Sequence, residues 1–112
     1  MKELFKAIHQ NAVDHGWWED KPAISITPEE TLSKLALVHA EVSEGVEEVR
    51  KGKGFYGYRV ENGKPEGLVV ELADAVIRIA DLCEALGLDL EGAIIKKHEF
   101  NKTRPYKHGK KI

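Results

Sequence analysis

Apolar residues recur at helical spacing in four stretches of the chain. Leu4, Phe5, Ile8, Ala12 and Val13 share one face, and Gly16 follows where a C-terminal cap would sit, which predicts a helix over 2–15. Thr27 and Glu30 form a capping box with Pro28 at the first helical position, so a second helix starts there and runs to about Lys51. Its Leu35, Val38, Val42, Val46 and Val49 line one face, with Glu41, Glu44 and Glu48 as an acidic stripe at the edge. The third stretch, 67–86, is apolar almost all the way round. Its polar side chains Glu71, Asp74, Arg78 and Asp81 fall within about 80° of one another, the pattern of a buried helix with one charged stripe. Asp89 caps a fourth helix, carried by Leu90, Ala93, Ile94, Lys97 and Phe100 to about Asn101.

Between the first two helices lie Trp17, Trp18 and a polar, Pro-containing segment. From Gly52 to Gly67 there are five glycines and a proline, and the Asn62-Gly63 turn signal after Tyr58-Arg59-Val60 suits a short hairpin. Helices so dominate the pattern that the expected fold is all-α, a bundle-like domain of four helices over 1–112 with a basic tail at 102–112, the second and third helices packing antiparallel. At 112 residues and 42% hydrophobic content the chain buries a modest share of its surface alone, so a homodimer or homotetramer is expected to complete it.

Charge is unevenly spread. Residues 96–112 hold seven Lys or Arg against one Glu, so with a net charge of −2 the remainder is strongly acidic. The single cysteine, Cys83, fits a reducing compartment. The opening Met1-Lys2-Glu3-Leu4-Phe5-Lys6 does not read as a secretory leader, and no stretch is long and apolar enough to span a bilayer. A cytoplasmic location without membrane partners is the expectation.

Carboxylates on a buried helix are costly unless cations or donors meet them. Glu41-x-x-Glu44 and Glu71-x-x-Asp74 each place two carboxylates on one helix face, and antiparallel packing would bring four hard oxygen donors together. Oxygen donors without cysteine select Mg²⁺ or Mn²⁺. The competing readings are an ordinary solvated face for the second helix, and an ion-pair network in which Arg78 neutralises Asp74 and Asp81. Lys97, Asn101, Arg104 and Tyr106, with Lys96, Lys102 and Lys107 around them, offer donors suited to phosphate oxygens. A disordered or nucleic-acid-binding end is the alternative for this tail, although no stable nucleic-acid binding is expected. Trp17 and Trp18 are candidates for stacking on a base, against the plainer role of packing anchors. No Glu-x-x-His pair is present, which argues against a di-iron carboxylate bundle.

Taken in order, Glu41-x-x-Glu44, Glu71-Leu72-Ala73-Asp74 and Lys97-x-x-x-Asn101-x-x-Arg104-Pro105-Tyr106 resemble the MazG-like nucleotide pyrophosphohydrolases of the all-α nucleoside triphosphate pyrophosphatase superfamily. The likeness extends to His15-Gly16-Trp17-Trp18, His39-Ala40-Glu41, Ile77-Arg78 and His108-Gly109-Lys110-Lys111. It departs at Ala40, where the family's usual first motif has another glutamate. The resemblance implies Mg²⁺-dependent cleavage of a nucleoside triphosphate between its α and β phosphates, giving a monophosphate and pyrophosphate in a house-cleaning role. Glu41, Glu44, Glu71 and Asp74 would hold the metal, and Glu41 or Glu44 would orient the attacking water or take its proton. Lys97 and Arg104 would hold the β and γ phosphates, with hydrogen bonds from Asn101 and Tyr106. The alternatives are a relative of narrower substrate, such as a dUTP, dCTP or phosphoribosyl-ATP pyrophosphohydrolase, or a non-catalytic helical module that binds nucleotides or a partner protein.

Overall fold

The computed structural model describes residues 1–18, 25–52 and 57–106. Within them are four helices, α1 (Lys2–Asp14), α2 (Pro28–Arg50), α3 (Leu68–Ala85) and α4 (Leu90–Lys102), and one antiparallel hairpin of β1 (Arg59–Glu61) and β2 (Lys64–Glu66). The protein is mostly helical. Phe55, Tyr56 and the tail from Lys107 onward, including His108-Gly109-Lys110-Lys111, lie outside the described residues.

Local chemistry explains the boundaries. Thr27 Oγ1 accepts the Glu30 amide at 3.1 Å and donates to Glu30 Oε1 at 3.3 Å, satisfying an amide that the first turn of α2 leaves free. Asp89 Oδ1 accepts the Gly92 amide at 3.0 Å at the start of α4. The hairpin turns through Asn62 at φ 53° and Gly63 at φ 76°, the left-handed pair that matches strand twist in a two-residue loop, with Arg59 opposite Glu66. Gly67, at φ 118°, closes the hairpin onto α3. A Cβ there would overlap the Gly57 carbonyl oxygen, so only glycine fits.

Helices α2 and α3 run antiparallel. Glu41 pairs with Arg78, whereas Gly45, one turn further along α2, faces Leu68 and Glu71 near the start of α3. Gly45 sets how closely they approach: a Cβ on it would sit 3.3 Å from Leu68 Cδ1 and 3.8 Å from Glu71 Cβ. In α2, Glu41, Gly45 and Glu48 are the buried positions, while Leu35, Val42, Val46 and Val49 are exposed. The edge of the acidic stripe, and not the valine stripe beside it, is therefore the side that α2 buries. In α3, Val69, Leu72, Val76 and Ile77 are exposed, so one chain does not bury this helix on all sides. The two exposed stripes adjoin. Val42, Val46 and Val49 stand one residue beyond Glu41, Gly45 and Glu48, as Leu72 and Val76 stand one beyond Glu71 and Ala75, and in an antiparallel pair that step turns both sets toward the same side of the seam.

Helix α1 buries Phe5 and packs on α3, and a small core forms where Trp18, Leu82 and Ala85 meet Ala12, Ile26 and Leu86. Helix α4 buries none of its residues, and its first turn is tied to the chain start by Glu91 Oε1 at 3.5 Å from the Met1 amine.

Replacing Gly45 by leucine is expected to lower stability by about 1–3 kcal/mol, because the seam has no room for a branched side chain. Gly45→Ala is expected near neutral, since the gain of about 1 kcal/mol in helix propensity offsets the small shift asked of Leu68. Urea melts of both variants check this: equal midpoints would show that Gly45 does not set the spacing.

Candidate metal centre

The close approach at Gly45 puts carboxylates where a core would otherwise be. Oxygens of Glu41, Glu44 and Glu71 lie within 4.8 Å of one another, as do those of Glu48, Glu66 and Glu71. Glu71, only 7% exposed, belongs to both groups, and its buried Oε2 has no hydrogen-bond partner. An orphaned carboxylate oxygen in a buried position is costly. Burial first, then a hydrogen bond with Glu44 and the negative charges of Glu44, Asp74 and Glu41, push the Glu71 carboxyl up to about 7. Asp74 is raised by burial and then by Glu41, against the opposing pull of Arg78.

The two groups differ in how their charge is met. Around Glu48, Arg59 Nη2 lies 3.2 Å from Oε2 and Lys51 Nζ 3.3 Å from Oε1, while Lys64 stands 3.7 Å from Glu66. Burial pushes the Glu48 carboxyl up, yet the hydrogen bonds from Arg59 and Lys51 outweigh it and hold the group below its usual range. That corner is neutralised by the chain itself. In the Glu41, Glu44 and Glu71 group, Arg78 Nε binds Glu41 Oε1 at 2.8 Å and is the one cation paired with the three carboxylates among the described residues. Among the described residues the four acidic groups including Asp74 thus have one ion-paired cation, Arg78, with Lys64 adding a weaker pull on Asp74. Hard oxygens, surplus negative charge and an orphaned buried oxygen fit a divalent cation at Glu41, Glu44 and Glu71, with Asp74 beside them.

The acidic centre opens onto a cleft of about 510 Å³, which Glu41, Asp74 and Arg78 line together with Trp17, Trp18, Lys34 and Asp81. Trp17 is 62% exposed and Trp18 5%, so the two separate the stacking and packing readings between them. Lys34 Nζ lies 4.4 Å from the centre of the Trp18 ring and 5.8 Å from that of Trp17.

No match to the chain was found among protein-family models, curated proteins or solved structures.

Several placements differ from the sequence expectation. Asp81 does not join the acidic stripe; it accepts hydrogen bonds from Trp18 and pairs with His9. Arg78 reaches across to Glu41 instead of joining Asp74 to Asp81. Lys97, Asn101, Arg104 and Tyr106 are not among the residues lining the cleft. Lys97 and Arg104 lie over the Phe100 ring, and Lys97 and Asn101 border a shallow depression on α4 with Ala93, Ile94 and His98. Glu48, Gly45, Lys34 and His9 entered no sequence-derived site. Glu48 and Gly45 stand four residues after Glu44 and Glu41, a signal present in the stripe, and His9 stands four after Phe5 on the packed face of α1.

Proposed function

We propose that the protein is a Mg²⁺-dependent nucleoside triphosphate pyrophosphohydrolase resembling the MazG-like enzymes, cleaving (d)NTPs between the α and β phosphates. The observation that carries this reading is the convergence of Glu41, Glu44 and Glu71, with a buried unpartnered oxygen, beside a cleft that Glu41 and Asp74 line together with two tryptophans. A divalent ion held there, with Mn²⁺ as the substitute for Mg²⁺, would draw phosphate oxygens, offset developing charge and lower the pKa of a water. Glu44, which carries no ion pair among the described residues, is the carboxylate assigned to take the proton, because Glu41 is already held by Arg78. Arg78 orients Glu41 and faces the cleft, where it offers donors to a phosphate. The aromatic end of the cleft would hold the base, whose flat face suits the exposed Trp17, with the buried Trp18 as the wall beside it.

The same reading includes a homodimer. A compact chain of 112 residues has a radius of gyration of about 13 Å, whereas this one measures 16.7 Å. Its apolar stripes on α2 and α3 form one exposed surface, and α4 is unburied. Pairing would cover the stripes. Lys97, Asn101, Arg104 and Tyr106 then serve phosphates in a site that two protomers complete, since α4 does not line the cleft of its own chain.

Incubating the purified protein with a panel of nucleoside triphosphates and Mg²⁺, with products resolved by ³¹P NMR, tests the reaction. Monophosphate and pyrophosphate in equal amounts are expected, with turnover lost on chelation. Diphosphate with inorganic phosphate would contradict the bond assigned, and no turnover with any nucleotide would favour a binding module.

A further inference from the structure

Asp81 is a carboxylate within the apolar run of α3 that takes no part in the acidic centre. Its side chain is 17% exposed, and a leucine such as the neighbouring Leu82 would serve packing there without the penalty of a partly buried charge. Asp81 instead serves as an acceptor. Trp18 Nε1–H donates to Oδ1 at 2.9 Å and to Oδ2 at 3.1 Å, and His9 Nδ1 lies 2.7 Å from Oδ1. The His9 ring meets the Trp18 ring edge-on, with centroids 5.9 Å apart and planes at 62°. One carboxylate on α3 thus joins α1 to the turn that follows it, at the end of the cleft away from Glu44 and Glu71.

An indole held by packing alone keeps two orientations about its ring torsion, whereas a donated N–H selects one. Trp18 also carries the Lys34 ammonium over its ring, so its orientation sets where that cation stands in the cleft. We propose that Asp81 is a positioning residue for base recognition: it locks Trp18, and through it Lys34, into a preformed wall against which the heterocycle of the nucleotide seats. This rests on the hydrolase reading above. A wall fixed before binding reduces the ordering that the ligand must impose, and its contact with the base is the same in ground state and transition state. The effect therefore belongs in KM and not in kcat.

The test uses a Trp17→Phe background, in which Trp18 is the sole tryptophan, as the reference for all comparisons. Asp81→Leu is expected to raise KM for the nucleotide about tenfold with kcat within about twofold, and to shift Trp18 emission and lower its anisotropy before any nucleotide is added. Asp81→Asn keeps an acceptor for the indole N–H and is expected to hold KM within about threefold of the reference. If Asp81→Leu does not fold, Trp18→Phe, which keeps a ring and loses the N–H, is expected to raise KM in the same way. An unchanged KM in the active Asp81→Leu protein, or a fall in kcat alone with Trp18 emission unmoved, overturns the inference. Absence of turnover in the unmodified chain overturns the hydrolase reading itself, a result distinguishable from failure of the Asp81 variants.

Discussion

Glu71→Gln is expected to reduce nucleotide turnover by about a thousandfold or more, since it removes a charged oxygen donor from the centre of the acidic group. The same change is expected to stabilise the metal-free protein at pH 8. Ionised Glu71 is buried beside Glu44, Asp74 and Glu41, and a neutral amide of the same shape relieves that repulsion. Loss of activity with gain of stability is the signature of a residue kept for chemistry. Because burial and its neighbours lift the carboxyl from 4.5 to about 7, the folded chain holds a proton there that the unfolded chain has released. Stability in chelator should accordingly fall as pH rises from 4.5 through 7 and level off above it, and Asp74 acts in the same direction. Below that window Glu48 works the other way, since protonating it gives up the Arg59 and Lys51 bonds. Thermal melts at pH 5.5 and 8 check the slope. Mg²⁺ should raise the midpoint more at pH 8, by about 5 °C at saturating metal, and the Glu71→Gln protein should show a much smaller slope, the remainder belonging to Asp74, and no metal effect. Full activity in Glu71→Gln would dismiss the metal assignment.

Val46→Asp is expected to convert a dimer into monomers and to lower the melting temperature by about 10 °C. Val46 is 52% exposed in the single chain and sits in the stripe that Val42, Val49, Leu72 and Val76 continue. An uncompensated carboxylate at such a surface costs about 3 kcal/mol or more once a partner covers it. Val60→Asp on the hairpin, at a position of similar exposure outside the stripe, serves as the control and should change neither mass nor midpoint. Sedimentation velocity at micromolar concentration reads both. A monomeric unmodified chain would remove the dimer from the proposal.

The helices were legible because each carries its own signals: the Thr27 capping box, the Asp89 cap, the Asn62-Gly63 turn and the helical spacing of the apolar residues agree with one another. Which face each helix buries was less legible. In α2 the valines mark the hydrophobic side, yet the buried side carries Glu41, Gly45 and Glu48, because a glycine lets the helices approach and draws the acidic stripe into the seam. A hydrophobic pattern reports every apolar face and does not say which one another protomer would cover. The pairing of Glu41, Glu44 and Glu71 followed from three-residue spacing plus antiparallel packing, and both elements are present. The destination of Asp81 did not follow, since Trp18 and His9 are 63 and 72 residues away along the chain and no local pattern links them.

A seam lined with acids instead of leucines has a consequence for handling the protein. With the proposed divalent ion bound there, the counterion would be part of the mortar between two rods, and exhaustive dialysis against a chelator is expected to loosen the joint. Preparations made that way are expected to lose the proposed pairing that covers Val42, Val46 and Val49, and restoring magnesium early, ahead of concentration, is the step that would preserve it.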